Sequence, residues 1–217
     1  MIVIGGMIGL GKTSCAKILG EALGSQVFYE KVENNRVLEK FYTASEEEIQ
    51  AKRYPFLLQL EFLGSRFKSI KEAQSHPNNI LDRSLWEDKY FKDVNCKLGR
   101  ISQLESDLYD DLLEEMLKEI DGMPKKAPEL MVYLKASFDT VLERIKKRGR
   151  GYELDDALKE YYYNLWKGYD DWVQHCYKAS PIIVIDMDTT DVVNNPKDAQ
   201  RLVQLVTDKL KEMRKEK

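Results

Sequence analysis

The stretch Gly6-Met7-Ile8-Gly9-Leu10-Gly11-Lys12-Thr13 fits the spacing G-x-x-x-x-G-K-[ST], between an apolar run and a helical pattern. Few folds present that order of strand, glycine loop and helix. Ile2-Val3-Ile4 is short and apolar, as a strand buried on both faces requires, and Thr13 to Leu23 carries Ile18, Leu19 and Leu23 on one side before Gly24 stops it. The glycines let backbone N–H groups curl around phosphate oxygens with no Cβ in the way. The helix N-terminus adds partial positive charge. Lys12 is placed to bridge β- and γ-phosphates, and Thr13 to offer its hydroxyl to Mg²⁺. Ser14 follows in the same turn, so residues 6–14 are the expected ATP-binding stretch, with Mg-ATP as phosphoryl donor.

A phosphate loop alone does not separate kinases from GTPases or ATPase motors. A GTPase needs N-K-x-D after a strand, which this sequence lacks. Motors carry an acid at the end of an apolar strand. The nearest equivalent, Ile80-Leu81-Asp82, runs straight into Arg83-Ser84. A metal-facing carboxylate (Asp82, beside Thr13) next to a phosphate-facing guanidinium (Arg83) suits phosphoryl transfer to a small acceptor. The segment Arg144 to Glu153 adds Arg144 and Arg148, four apart on one helical face, then Arg150 between two glycines. Basic residues at a helix end are ordinary dipole partners. Together with a phosphate loop they read as a lid, at about 144–153, whose guanidiniums spread over transition-state charge.

The 217 residues suit one domain with a full core, read as spanning 1–217. A net charge of −3 gives no basic face, so no nucleic-acid partner is expected. No apolar run approaches a membrane span, and Met1 to Ile4 reads as strand rather than leader. Cys15, Cys96 and Cys176 form no CxxC pair and read as free, buried thiols in a reducing compartment, hence the cytoplasm. His76 and His175 have no partner at metal-ligand spacing.

Further strands are expected at Val27-Phe28-Tyr29, Ile80-Leu81, 130–134 and 182–185, alternating with helices. A long helical pattern covers 46–73 with a break near Pro55. Others cover 85–95, 103–120, 138–147, 154–177 and the segment from Pro196. A Gly, Pro and Lys-rich turn follows residue 120, and the charged tail from Lys209 is expected to fray. Tyr161, Tyr162, Leu165, Trp166, Tyr169 and Trp172 recur at helical spacing, a core stripe. The alternation predicts an α/β fold: three layers, a five-stranded parallel sheet and a helical lid.

With these motifs in this order, nearly the whole chain resembles the deoxyribonucleoside kinase family, and the bacterial deoxyadenosine/deoxyguanosine kinases most. The resemblance implies transfer from ATP to the 5′-hydroxyl of a deoxyribonucleoside. Tyr29-Glu30-Lys31-Val32 looks like the family's Glu-Pro-Val element, which makes Glu30 the general base. Asp82 stays open as an alternative proton acceptor. Gln59 and Arg66 lie two turns apart on one helical face, and Asp88 falls six residues after Asp82. In the family such a Gln reads the base edge, with an Arg–Asp pair beside it where purines or cytosine are accepted. A surface salt bridge is the plainer alternative for Arg66–Asp88.

Tyr42 and Glu153 would hold the sugar 3′-hydroxyl, although segment 43–52 is longer than in relatives. Leu58 stands where many members place an aromatic, and Phe91 is a candidate stacking ring. Deoxyadenosine is expected to be the best substrate, with deoxyguanosine or deoxycytidine next and thymidine poorest. A homodimer, or a heterodimer with a sister subunit, is implied by the family alone. A nucleoside monophosphate kinase of thymidylate kinase type is the alternative, but it would need cations where Glu30 stands. A non-enzymatic sister subunit is disfavoured by Lys12, Asp82 and Arg83.

Overall fold

The computed structural model describes residues 1–121 and 127–215, so the expected Gly, Pro and Lys turn at 122–126 lies outside the described residues. Five strands are present: β1 (Ile2–Gly6), β2 (Val27–Phe28), β3 (Ile80–Asp82), β4 (Leu130–Lys135) and β5 (Ile182–Asp186). They form one parallel sheet in the order β2-β3-β1-β4-β5. Central β1 pairs Ile4 with Asp82 on one side and with Val132 on the other. Successive residues Ile2, Val3 and Ile4 point to opposite faces and are all inaccessible, so both faces are covered.

The helices are α1 (Lys12–Leu23), α2 (Leu38–Thr43), α3 (Glu46–Lys52), α4 (Tyr54–Ala73), α5 (Leu85–Lys97), α6 (Gln103–Asp121), α7 (Phe138–Arg148), α8 (Leu158–Trp166), α9 (Tyr169–Asp171) and α10 (Pro196–Lys215). The order of β1, glycine loop and α1 puts the helix N-terminus at the carboxyl ends of the strands, where β3 delivers Asp82 and Arg83. That edge is where ligands bind in open α/β sheets.

Several expectations are corrected. Helix α2 was not anticipated; its six residues carry only Leu38 and Phe41 to the interior. The break in 46–73 falls at Arg53, in the left-handed region at φ 55°, while Pro55 sits harmlessly in the first turn of α4. The longer segment 43–52 folds as the Ser45-capped helix α3, which leaves Tyr42 at the end of α2. The continuous helix over 154–177 is broken into a 3-10 turn at Gly151–Glu153, α8, α9 and a π turn at Trp172–Cys176. The break is at Gly168, where a Cβ would stand 3.2 Å from the Tyr90 hydroxyl, and it turns Tyr169 inward.

Only Cys15 is buried; Cys96 is half-buried and Cys176 is exposed on the π turn. Burial pushes the Cys15 thiol up to about 12, so it packs as an inert small hydrophobe. The tail stays helical to Lys215, where Arg214 pairs with Glu129 at 2.7 Å. His76 caps the turn at Asn78, and His175 lies exposed 3.6 Å from Asp171. No group of three or more His, Cys, Asp or Glu arranged to hold a metal occurs among the described residues. No helix among them is long and apolar enough to cross a membrane.

Candidate active site

A cleft of about 1140 Å³ opens over the carboxyl edge of the sheet, between the glycine loop, α2, α4 and the 144–153 segment. Ile8, Gly9, Gly11, Lys12, Thr13 and Ser14 line its floor. Gly6, Met7, Leu10 and Arg66 lie behind its wall rather than on it. Gly9 is bare for two reasons: its φ is +85°, and a Cβ would come within 2.9 Å of Ile145, so the loop packs directly on α7.

Lys12 is buried, and its ammonium donates to the carbonyls of Gly6 (3.0 Å) and Met7 (2.8 Å). Burial first, and then the nearby Arg83 charge, pull its pKa down to about 7. Above pH 7 the free amine therefore predominates, whereas a bound polyphosphate would favour the charged form. ATP binding at pH 8 should thus take up about one proton, read as the dependence of calorimetric binding heat on buffer ionisation enthalpy. Binding with no proton uptake at that pH would contradict the desolvation of Lys12.

Thr13 donates its hydroxyl to Asp82 Oδ2 at 2.8 Å, while Asp82 Oδ1 is buried without a hydrogen-bond partner among the described residues. Arg83 follows with φ 77°, a left-handed conformation that costs a non-glycine residue about 1–3 kcal/mol. The surroundings hold it there: its N–H donates to Ile4 O at 3.1 Å, and the next N–H, of Ser84, donates to Glu87 Oε2 at 3.1 Å. The result aims the guanidinium along the cleft, over the Phe91 ring at 4.6 Å and onto Glu30 Oε1 at 3.1 Å.

Glu30 is the meeting point of two arginines. Its Oε1 takes Arg83 Nε and, at 2.9 Å, Arg66, while Oε2 accepts no hydrogen bond among the described residues. Its side chain keeps 21% exposure toward the cleft. Burial alone would raise its pKa, but the Arg83 and Arg66 charges outweigh it and hold the carboxyl near about 2. Arg66 also grips Asp88 in a two-pronged fork (Nε to Oδ2 3.0 Å, Nη2 to Oδ1 3.2 Å) and donates to the Asp82 carbonyl. At 3% and 4% side-chain exposure this pair is buried, so the surface-salt-bridge alternative falls. Gln59 lies beside it on the cleft wall, and its amide makes no hydrogen bond to any described residue.

At the mouth, Glu153 is buried and pairs with Arg148, with Arg150 at 3.5 Å. Arg144 spends its guanidinium on carbonyls instead: Met187 (2.7 Å), Thr190 (3.0 Å) and Leu10 (3.5 Å). Tyr42 lines the cleft and stacks on Tyr152, ring centres 5.7 Å apart. Phe41, Phe62 and Tyr161 complete an aromatic wall that sequence reading missed. Tyr161 had been assigned to the core stripe, and helical spacing alone cannot say which edge of a stripe borders a cavity. Glu87 and Tyr169 were also missed as site neighbours. The Ser84-x-x-Glu87 spacing of a capping box was the available signal, and both of its hydrogen bonds are present.

A phosphate loop feeding a cleft, an Asp-Arg strand end and a carboxylate between arginines define a P-loop phosphotransferase. The chain belongs to the deoxynucleoside kinase family, whose family model matches residues 2–211. A deoxyguanosine kinase of Lactobacillus acidophilus is 44% identical over 99% of this chain and 92% of its own length. A deoxyadenosine kinase of the same organism is 40% identical, covering 98% and 97%. Among solved structures, deoxyadenosine kinase from M. mycoides with bound dCTP superposes with a TM-score of 0.77 at 31% identity, covering 98% of this chain and all of that one.

Proposed function

We propose that this deoxynucleoside kinase transfers the γ-phosphoryl group of Mg-ATP to the 5′-hydroxyl of purine deoxyribonucleosides. The observation that carries this reading is Glu30, an ionised carboxylate with one oxygen free at the junction of the glycine loop and the Gln59 wall. A hydroxyl can donate to that oxygen, whereas a monophosphate would be repelled by it. Thr13 and Asp82 would hold Mg²⁺, and the unpartnered buried Oδ1 of Asp82 fits a cation. The ion would neutralise phosphate charge on the donor. Lys12 and the loop N–H groups bind and orient the donor phosphates, and Arg83 faces the moving group. Arg144 stiffens the loop through Leu10, and Arg148, Arg150, Glu153 and Tyr42 close the sugar end. Catalysis of this kind is mostly positioning and electrostatics.

The free amide of Gln59 offers a donor and an acceptor to a base edge. Beside it Asp88 lines the cleft with Arg66 behind it, so adenine's amine can face Asp88 while guanine's carbonyl pairs with the Gln59 amide. That supports both purines, in keeping with relatives named for each, rather than the deoxyadenosine preference expected from the sequence. Thymine has no amine for Asp88, and mispairing a buried polar group costs about 1–3 kcal/mol, or roughly tenfold to a hundredfold in rate. Initial rates with the four deoxynucleosides should therefore rank both purines first and thymidine last. A preference for thymidine, or faster use of dAMP or dTMP than of the nucleosides, would sink the reading.

We further propose a homodimer. Leu104, Leu108 and Leu112 recur every fourth residue on the outer face of α6 at 69%, 53% and 41% exposure, an apolar stripe of the kind that a second copy covers. Sedimentation should give a dimer for wild type and a monomer for Leu108→Glu. A monomeric wild type at micromolar concentration would refute it.

A further inference from the structure

Glu87 plays no part in the function proposed above, yet its carboxylate is fully buried beside the reacting groups. Its Oε2 does the work of a helix cap, accepting from the Ser84 N–H at 3.1 Å and the Ser84 hydroxyl at 3.2 Å. A cap needs no more than that. Oε1 reaches much further, accepting from the Gly6 N–H at 3.1 Å, where the phosphate loop leaves β1, and from the Tyr169 hydroxyl. The Gly6 N–H is shared with the Tyr169 oxygen at 3.0 Å, which closes a three-membered ring of contacts. Oε1 also lies 3.5 Å from Arg83 Nη1, a buried nitrogen with no hydrogen-bond partner among the described residues. Arg83 is thereby strung between two carboxylates, Glu30 at Nε and Glu87 at Nη1. Gly5 records how closely Glu87 approaches: the three atoms nearest to an added Cβ are its Cδ, Oε1 and Oε2, each at 3.3 Å.

We infer that Glu87 is a positioning residue for phosphoryl transfer, one buried carboxylate that fixes the root of the phosphate loop and the direction of Arg83 together. The donor phosphates sit on the loop, and Glu30 takes the acceptor hydroxyl. A shared anchor therefore sets the distance between the two reactants. With Nη1 turned inward toward Glu87, the rest of the Arg83 guanidinium is held where the residue lines the cleft and can face a phosphoryl oxygen. A buried carboxylate is tolerated because four donors satisfy it. The inference rests on the kinase reading of the cleft.

Three variants test it. Glu87→Gln keeps the volume but replaces one accepting oxygen with a donor that faces other donors. Gly5→Ala presses first on the Glu87 carboxylate, at an ordinary backbone conformation. Tyr169→Phe removes a single donor from Oε1. Glu87→Gln should lower kcat about tenfold or more while the KM for deoxynucleoside stays within about threefold, because the base-reading wall is untouched. The other two should lower kcat in the same direction by less. In an Arg83→Lys background, Glu87→Gln should cost less than about threefold, because the group it aims is already changed.

A mere helix cap would instead lower Tm, leave kcat intact and add its full effect to Arg83→Lys. If Glu87→Gln does not fold, Gly5→Ala and Tyr169→Phe decide, and unchanged kcat in both overturns the inference. A wild type inactive on every deoxynucleoside overturns the proposed function and this inference together. An active wild type with unaffected variants overturns this inference alone.

Discussion

Lys12→Ala is expected to lower kcat by about a thousandfold or more, with the circular dichroism spectrum unchanged. The ammonium is held by two backbone carbonyls at 2.8 and 3.0 Å, with no side-chain carboxylate among the described residues hydrogen-bonded to it. It can therefore leave the carbonyls for a phosphate without breaking an ion pair. At a position this buried, losing one preorganised cation opposite developing charge costs about 4 kcal/mol of barrier, a factor of about a thousand. The fold should tolerate the change. Lys12 opens α1 at a position where alanine is a good helix former, and its buried charge was itself unfavourable, as the depressed pKa of about 7 records. Steady-state rates beside a thermal melt check both halves. A variant with wild-type turnover would remove the phosphate loop from the chemistry.

Glu30→Gln is the second large effect, expected at about a hundredfold to a thousandfold in kcat. The amide has the same shape, but only one of its ends can face the arginines. Its oxygen turns toward Arg66 and Arg83, so the NH₂ points into the cleft where a hydroxyl must donate. Arg66 keeps Asp88, so the protein should still fold. A carboxyl held near about 2 is a weak base, which suits a loose transition state in which the proton leaves late. It also fixes the pH dependence. Because this folded pKa lies below the ordinary carboxyl value, Glu30 stays ionised as pH falls through the usual carboxylate range and loses its charge only near about 2. Wild-type kcat/KM should therefore show no acid limb from this group above about pH 4. If Glu30→Gln stays within about threefold of wild type, the proton goes to Asp82 instead.

The parts legible in the sequence were those fixed by local chemistry. Glycines spaced for a phosphate loop, an apolar run before them and a helix after them left one arrangement, and β1, the loop and α1 follow it within two residues. Arg66 and Asp88 are 22 residues apart, and only the family resemblance suggested that they meet; the structure adds that they do so out of water. What stayed hidden depends on long-range closure. The break at Gly168 answers to the Tyr90 hydroxyl, 78 positions earlier, and no local propensity reports it. Glu87 reads locally as a cap, and its reach to Gly6 appears only once β1 and β3 pair. Lid arginines predicted for phosphate are engaged with Glu153 and with carbonyls, because composition marks charge but not its partner.

In the proposed reaction a free nucleoside hydroxyl, not a phosphate, is the acceptor. Its most direct test supplies γ-³²P-labelled ATP with deoxyguanosine or deoxyadenosine and locates the label in the product. Label is expected in the 5′-monophosphate, removable by 5′-nucleotidase, with matching release of ADP. No labelled monophosphate from either nucleoside, together with labelled diphosphate when dGMP or dAMP is supplied, would contradict it.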